Sequence, residues 1–389
     1  MEVNNKKEVE VWIDQAVKRG YNNEKIRELL RANGYNEEDI REVLSLRVNP
    51  KTQKQITSVK KKEFVVIKEQ ISPEIKGVYD SIVQVEKEVA KTVVGQEAVV
   101  KAFMCALLCD GHVLLEGVPG IAKTLLVKTL ATASGCSSKR IQFTVDLLPS
   151  DILGITTYTP DKGFETIKGP IFANFIIADE INRSPPKTQS AMIEAMQEKQ
   201  VTIAKETYAL PNPFFVMANN NPLESSGVYD LPEAQVDRFL FKIVMGYPNK
   251  EEELKIMENN ITLRKFDSFN IKSILSPEKI IEMQKITKDL YMSEKVKNYI
   301  VRIIEKTRKK DFPHGKFIEW GGSPRASIGL FIASKAWALI SGRNYVVPQD
   351  VKDVAHYILR HRIILNYKAR AEGIDSDKII DEVLEMVAI

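Results

Sequence analysis

The stretch that most constrains the fold is GVPGIAKT, residues 117–124. It lies between an apolar run, VLLEG, and a helical pattern, TLLVKTLATA. Phosphate-binding loops of the form G-x-x-x-x-G-K-[ST] occur in this strand–loop–helix context, although Ala122 stands here where that pattern has glycine. A chain with such a loop is expected to form an α/β domain with a parallel sheet.

The residue types in the loop are those expected of a site that binds an anion. We expect Gly117 to allow a tight exit from the strand, and Gly120 to let backbone N–H groups close around a phosphate. Ala122 is expected at the start of the helix with a negative φ, where a methyl group is tolerated. Lys123 can reach the β- and γ-phosphates, and Thr124 can offer its hydroxyl to Mg²⁺. The loop residues predicted to bind nucleotide are Gly117, Val118, Pro119, Gly120, Ile121, Ala122, Lys123, Thr124 and Leu125.

A second, independent feature comes 55 residues later, where the apolar run FIIA is followed by Asp179 and Glu180. The carboxyl ends of strands in open parallel sheets are where ligands bind. Asp179 is predicted to bind the nucleotide's Mg²⁺ through water, so the predicted metal residues are Thr124 and Asp179. Glu180 is predicted to polarise the attacking water. Asn221, in ANNNP, could orient that water, and Asn219 is the alternative.

Buried apolar runs alternate with helical patterns in the middle of the chain. The predicted strands are 112–117, 141–146, 174–180 and 214–220, whose near-continuous apolar character is typical of a parallel sheet covered on both faces. Beyond about Glu251 the strand signals vanish and helical patterns follow. Ser276-Pro277, Ser323-Pro324 and Val347-Pro348 each indicate a helix start.

Domain boundaries follow from these patterns. The segments GYNNEKIRELL and GYNEEDIREVL repeat at an offset of 14 residues and predict a small helical module over 1–48, either a docking module or a dispensable extension. Residues 49–73 are interpreted as a basic linker, with binding to an acidic partner as the alternative. An α/β core is predicted for 74–250 and an all-α lid domain for 251–389.

Composition excludes several classes of protein. The net charge is +4, while residues 47–72 hold seven Lys or Arg against two Glu, a surplus of five that leaves the rest near neutral. This argues against a protein that coats nucleic acid. The three cysteines make no disulfide framework, and no window is apolar enough for a membrane span. A cytoplasmic protein is expected.

Several motifs in order resemble one family. GHVLLEGVPGIAKTLLVKTLA, RIQFTVDLLPSDILG, GPIFANFIIADEINRSPPKTQSAMIEAMQEKQVTI, LPEAQVDRFLFKI and GGSPRASIGL closely resemble the MoxR family of AAA+ ATPases. The resemblance runs from about Ser81 to the C-terminus. In that family the loop form with alanine before the lysine is usual.

The resemblance implies a role for each matching residue. Gly117, Gly120, Lys123 and Thr124 match the Walker A loop, and Asp179 and Glu180 match Walker B. Asn221 matches the sensor-1 asparagine, although the family commonly has A-T-Q-N-P where this chain has A-N-N-N-P. Arg238, in VDRF, matches the arginine finger that completes a neighbouring subunit's site. Arg325, in SPRAS, matches sensor 2; in the first turn of a helix capped by Ser323, it is expected to aim at the anion site beside Lys123.

The function implied is ATP hydrolysis with Mg²⁺ by a homo-oligomeric ring, which is expected to be a hexamer. Chaperone-like remodelling or activation of partner proteins, often with von Willebrand factor A domains, is implied as well. The alternatives are a nucleic-acid motor, a nucleotide-regulated scaffold and a chelatase-type motor subunit.

Two inserts bear on what the ring acts on. Residues 156–170 and 200–211 each predict a β-hairpin. In the related clade of AAA+ proteins, hairpins at these places line the ring pore or its face. Tyr158, Phe164 and Lys168 are therefore candidates for contact with a substrate protein, and plain surface hairpins are the alternative.

Overall fold

The structure is a computed structural model, and it describes residues 73–117, 122–161, 163–220, 228–259 and 266–388. The module predicted for residues 1–48 and nearly all of the predicted linker lie outside these residues. So do five of the predicted site residues: Val118, Pro119, Gly120, Ile121 and Asn221.

The strands of the described residues form one parallel sheet and three antiparallel pairs. In chain order they are β1 (Val113–Gly117), β2 (Ser138–Gln142), β3 (Gly154–Thr159), β4 (Gly163–Lys168), β5 (Phe175–Asp179), β6 (Gln200–Ile203), β7 (Glu206–Ala209), β8 (Phe215–Asn220), β9 (Phe241–Met245), β10 (Ile318–Trp320) and β11 (Ile364–Leu365).

Helices fill the connections and the C-terminal third. They are α1 (Pro73–Val89), α2 (Glu97–Leu108), α3 (Lys123–Ala133), α4 (Pro149–Leu153), α5 (Pro186–Glu198), α6 (Glu233–Val236), α7 (Lys250–Asn259), α8 (Pro277–Asp289), α9 (Glu294–Lys309), α10 (Pro324–Ile340), α11 (Pro348–Leu359), α12 (Tyr367–Ala371) and α13 (Ser376–Met386). Short 3₁₀ turns occupy Ile181–Arg183, Phe266–Phe269 and Pro313–Phe317.

The parallel sheet has the order β2-β5-β8-β1-β9 within the described residues. Val113 of β1 pairs with Met217 of β8 on one side and with Phe241 of β9 on the other. On the far side of β8, Ala218 pairs with Ala178 of β5. β8 therefore separates β1 from β5, and the carboxyl ends of all three strands lie at one edge. The predicted α/β fold is confirmed.

Both faces of this sheet are buried. Alternate residues of β5 point in opposite directions, so that Ile177 packs among the α1, α2 and α3 side chains while Ile176 packs on the face covered by α5. The same alternation divides Met217 from Val216 in β8. This two-sided burial explains why the central strands are recognisable as apolar runs.

Two edge strands differ from the sequence expectation. The second strand was expected over 141–146, but β2 covers Ser138–Gln142. As an edge strand it exposes Lys139 and Arg140, so hydrophobicity does not mark it. At the opposite edge β9 was not predicted as a strand, and its residues alternate between buried and more exposed positions.

The C-terminal region packs on the same face as α1 and α2. Helix α10 contacts both of them, and the apolar side chains of α10, α11 and α13 belong to one buried cluster with α1 and α2. The prediction that strands vanish beyond Glu251 was wrong in one respect, because β10 and β11 form a small antiparallel pair there. No helix in the described ranges is long and apolar enough to cross a membrane.

The three predicted helix starts are found, with one difference in capping. α8, α10 and α11 begin at Pro277, Pro324 and Pro348. Ser276 accepts a hydrogen bond from the Lys279 backbone N–H at 3.3 Å. Ser323 was expected to cap α10 in the same way, but its hydroxyl makes no capping bond and is buried without a hydrogen-bond partner among the described residues.

Both predicted hairpins are present. In β3–β4 the rings of Tyr158 and Phe164 form a cross-strand pair with centroids 5.1 Å apart, and both rings are exposed. The second hairpin, β6–β7, contacts the first through Tyr208, whose hydroxyl donates to Thr166 Oγ1 at 3.2 Å. The Lys168 ammonium lies over the Tyr208 ring, so this candidate also joins the two hairpins.

A substitution at Gly154, at the base of β3, tests the packing of the first hairpin. Its φ is +112°, and a Cβ there would lie 2.3 Å from the Ile167 carbonyl oxygen. We expect Gly154→Ala to destabilise the fold by about 2 kcal/mol or more. As a matched control, Gly77→Ala at an exposed position of α1, where an added Cβ meets nothing within 4 Å, should stabilise the fold by about 0.5–1 kcal/mol. Thermal unfolding of both variants is the measurement, and equal melting temperatures would contradict the expectation.

Candidate active site

The phosphate-loop motif begins and ends where the sequence predicts. Gly117 is the last residue of β1 and Lys123 the first of α3, with Thr124 and Leu125 half-buried in the first turn of that helix. Ala122, however, has φ +58° and ψ +28°, so the expectation of a negative φ was wrong. A left-handed residue with a Cβ is disfavoured by about 1–2 kcal/mol, which explains why glycine is the usual residue in such loops.

Lys123 connects the loop to the acidic end of β5. Its ammonium donates a short hydrogen bond to the Gly117 carbonyl oxygen. Burial lowers the pKa of Lys123 below its usual value, while the carboxylates of Asp179, Glu116 and Glu180 act to raise it. Because the carboxyl ends of β1 and β5 lie at the same edge of the sheet on either side of β8, the motifs predicted separately converge on one site.

Asp179 is a buried carboxylate with both oxygens engaged. It ends β5, and its Oδ2 accepts hydrogen bonds from the guanidinium of Arg140, with Nε at 2.8 Å. Its Oδ1 accepts a short bond from Asn219 Nδ2. A buried charge is costly unless it is paired and hydrogen-bonded, and both conditions are met here.

Glu180 turns sharply away from the strand. Its φ is +57°, and its backbone N–H donates to Asn219 Oδ1 at 2.6 Å. Its carboxylate Oε2 accepts from Gln142 Nε2 at 2.8 Å and from Arg183 Nη1 at 3.0 Å. The carboxylate is thus held at the edge of the site and only partly buried.

Asn219 bonds to both acidic residues. It lies on β8, and its amide donates to Asp179 and accepts from Glu180. Of the two amides considered from the sequence, Asn219 is the one within the described residues, since Asn221 lies outside them. The neighbouring Asn220 has a buried Oδ1 without a hydrogen-bond partner in the described part of the chain.

The two predicted arginines lie at the other edge of the sheet. Leu240 lies just before β9 and donates its backbone N–H to the carbonyl of His112, just before β1, at 2.9 Å. These residues therefore lie at the edge of the sheet where the parallel strands begin. Arg238 precedes Leu240, exposed and without a side-chain hydrogen bond or ion pair to any described residue. About 13 Å of β1 separates this edge from Gly117.

Arg325 lies with Arg238 and away from Lys123. Its Nη1 is 3.3 Å from Asp237 Oδ2, and Asp237 immediately precedes Arg238. The expectation that Arg325 aims at the same chain's anion site was therefore wrong for this structure. No local pattern reveals where a helix 200 residues from the phosphate loop packs relative to the sheet.

The donor atoms near Lys123 fit a magnesium–nucleotide complex. Thr124 and Asp179 offer a hydroxyl and a carboxylate, the hard oxygen donors that Mg²⁺ prefers. No group of three or more His, Cys, Asp or Glu residues is gathered into a metal cage in the described ranges. Mg²⁺ is usually bound through one or two protein oxygens together with phosphates and water.

Comparison with known proteins agrees with this geometry. A family described as "ATPase family associated with various cellular activities (AAA)" matches residues 112–241, and the "AAA lid domain" matches residues 314–383. Chaperone MoxR1 of Mycobacterium tuberculosis is 46% identical over 308 residues, which cover 78% of this chain and 80% of that protein. The chain belongs to the MoxR family of AAA+ ATPases. It is accordingly an ATPase and a nucleotide-binding protein.

Two further relatives are matched over nearly their whole length. The protein YeaC of Bacillus subtilis is 42% identical over 304 residues, covering 78% of this chain and 93% of YeaC. The crystal structure of a protein assigned as an ATPase from Cytophaga hutchinsonii has a TM-score of 0.76 and 46% identity, covering 81% of this chain and 97% of that one. The likeness therefore extends through the core and the lid.

Sequence reasoning missed several groups of the MoxR site. Arg140 and Gln142, which hold Asp179 and Glu180, lie on the displaced edge strand β2. Their alternation at i and i+2 places both on one face of a strand, a signal that requires the strand to be located first. Asp237 was also missed, and its adjacency to Arg238 in VDRF was the available signal.

Asn219 provides the test of this arrangement. We expect Asn219→Ala to lower kcat by about 10–100-fold with little change in KM, because Asp179 and Glu180 lose the amide that holds them. Asn174→Ala is a matched control, since Asn174 joins strand ends at the opposite edge through Ser137 and the Pro213 carbonyl. It should lower the melting temperature and leave kcat unchanged. An unchanged kcat in Asn219→Ala would contradict the assignment.

Proposed function

We propose that the chain hydrolyses ATP with Mg²⁺ at sites shared between subunits of a ring. One observation carries this proposal: in a single chain Gly117, Lys123 and Glu180 lie at one edge of the sheet, whereas Arg238 lies exposed at the other. An exposed arginine without a side-chain partner among the described residues of its own chain is suited to complete a neighbour's site. The resemblance to MoxR proteins supports a hexameric ring and a cytoplasmic location.

Each residue of the site has a proposed role. The backbone of the loop and the Lys123 ammonium bind the β- and γ-phosphates, so that the ammonium exchanges the Gly117 carbonyl for a phosphate oxygen. Thr124 and, through water, Asp179 hold Mg²⁺, which neutralises the charge developing on the phosphates. Glu180 orients and polarises the attacking water, and Asn219 or Asn221 orients it further.

The arginines are proposed to act on the adjacent subunit. Arg238 is the arginine finger, and Arg325, ion-paired beside it through Asp237, is presented with it to the same neighbouring site. Both would stabilise charge that develops during phosphoryl transfer. This assignment replaces the expectation that Arg325 assists Lys123 in its own chain.

The work done by hydrolysis is proposed to be remodelling or activation of partner proteins. The name of the mycobacterial relative, Chaperone MoxR1, supports a chaperone-like role. So does the exposed Tyr158–Phe164 pair on β3–β4, because aromatic side chains are enriched at contact surfaces between proteins. We also propose that some of the partner proteins contain von Willebrand factor A domains and that residues 1–48 serve in docking. The boundary between the core and the lid is proposed to lie near residue 250.

Concentration dependence of the ATPase rate tests the shared site. We expect specific activity to rise with protein concentration and to fall by about 10³-fold or more in Glu180→Gln and in Arg238→Ala. Mixing these two inactive variants should restore part of the activity, because some interfaces then join an intact Glu180 to an intact Arg238. Activity independent of concentration, together with an unimpaired Arg238→Ala, would overturn the proposal.

A further inference from the structure

The side chain of Arg362 makes five hydrogen bonds from a buried position. Its Nε donates to Asp237 Oδ1 at 2.7 Å, and its Nη2 donates to the carbonyls of Asp237 at 3.0 Å and Phe239 at 2.7 Å. Its Nη1 donates to the carbonyls of Leu240 at 3.0 Å and Ile358 at 2.8 Å. The side chain is only 3% exposed, so these bonds compensate for the lost hydration of the guanidinium.

Four of these bonds converge on the segment that carries Arg238. The Arg362 side chain bonds to residue 237 before Arg238 and to residues 239 and 240 after it, while the Arg238 side chain itself remains exposed. The preceding residue of the lid, His361, adds a hydrogen bond between its Nε2 and the Phe239 carbonyl at 3.0 Å. The backbone around Arg238 is therefore fixed from the lid.

Asp237 extends the contact to Arg325. One carboxylate oxygen accepts from Arg362 and the other lies 3.3 Å from Arg325 Nη1. Asp237 is thus shared by a buried and an exposed arginine, and it neighbours Arg238 in the chain. A lysine at position 362 could not satisfy these acceptors, because only arginine presents five donors in a rigid planar fork.

We propose that Arg362 is a positioning residue for the ATP site of the neighbouring subunit. It holds the segment 237–240 from the lid, and thereby directs Arg238 and, through Asp237, Arg325 toward that site. The inference rests on the shared site proposed above and adds a connection between the lid and the arginines of that site. Arg362 belongs to the matched lid region, 314–383, and Asp237 to the matched core region, 112–241, so any movement of the lid acts on the arginines.

Arg362→Lys and Asp237→Asn are the test variants. The first keeps the positive charge and loses the fork, and the second keeps the shape of the side chain and loses its charge. Arg360→Lys is the matched control, since Arg360 is a half-buried lid arginine ion-paired to Asp377 at 2.6 Å, with no hydrogen bond to residues 237–240 among the described contacts. Steady-state ATPase kinetics and thermal unfolding are measured for each full-length variant.

We expect both test variants to lower kcat by about 10–100-fold while KM for ATP stays within about threefold, because the nucleotide is bound by the variant's own intact loop. Arg360→Lys should retain the wild-type kcat. The decisive readout is mixing with Glu180→Gln subunits, which supply an intact arginine segment. Roughly one interface in four then pairs an intact site with an intact segment, so activity should rise well above that of either variant alone. The double variant Glu180→Gln/Arg362→Lys should give no such recovery when it replaces Glu180→Gln in the mixture, because it supplies no intact arginine segment.

A purely structural role for Arg362 predicts the opposite, since a damaged subunit would not be repaired by its neighbour. Failure of Arg362→Lys to recover, while Arg238→Ala recovers in the same mixture, would overturn this inference and leave the shared site standing. Failure of both would instead refute the shared site. Where Arg362→Lys does not fold, Asp237→Asn decides: recovery in the mixture supports the inference, and an unimpaired or unrecovered variant overturns it.

Discussion

The position of β8 between β1 and β5 is the constraint on which the site depends. β1 ends in the phosphate loop, β5 ends in Asp179 and Glu180, and β8 brings Asn219 between them. These three groups are about 40 to 100 residues apart in sequence, yet parallel pairing places their ends at one edge. An exchange of β8 with β1 would separate the amide from the carboxylates, whatever the loop sequence.

Charge compensation inside the site follows from that arrangement. Asp179 is buried between Arg140 and Asn219, and the Lys123 ammonium is bonded to a carbonyl oxygen whose place a phosphate can take. Burial lowers the pKa of Lys123, and the nearby carboxylates oppose that shift. Asp179 is therefore held in place by these hydrogen bonds, and in the proposed reaction the Lys123 ammonium is the group that changes partner.

Much of this could be predicted from the sequence, for physical reasons that differ between elements. β1, β5 and β8 are buried on both faces and were predicted as apolar runs, and both hairpins were predicted as well. β2 and β9 lie at sheet edges, so partial exposure weakens their signal. The φ of Ala122 depends on how the loop closes, and the location of Arg325 depends on how the lid packs on α1 and α2. Neither is encoded in a local pattern.

The separation of Lys123 from Arg325 is the reason that we propose a role for the lid beyond covering its own nucleotide. The lid is joined to the core through one apolar cluster, and Arg362 inserts its guanidinium into the segment before β9. A change at the carboxyl edge that shifts the lid must therefore move the buried ends of that segment together with Asp237. Since Arg238 lies between those fixed points, the proposed ring would let the nucleotide state of one subunit act on the arginines presented to the next. Two packed bodies joined by a specific polar contact can carry coupling of this kind, and the bonds of Arg362 are such a contact.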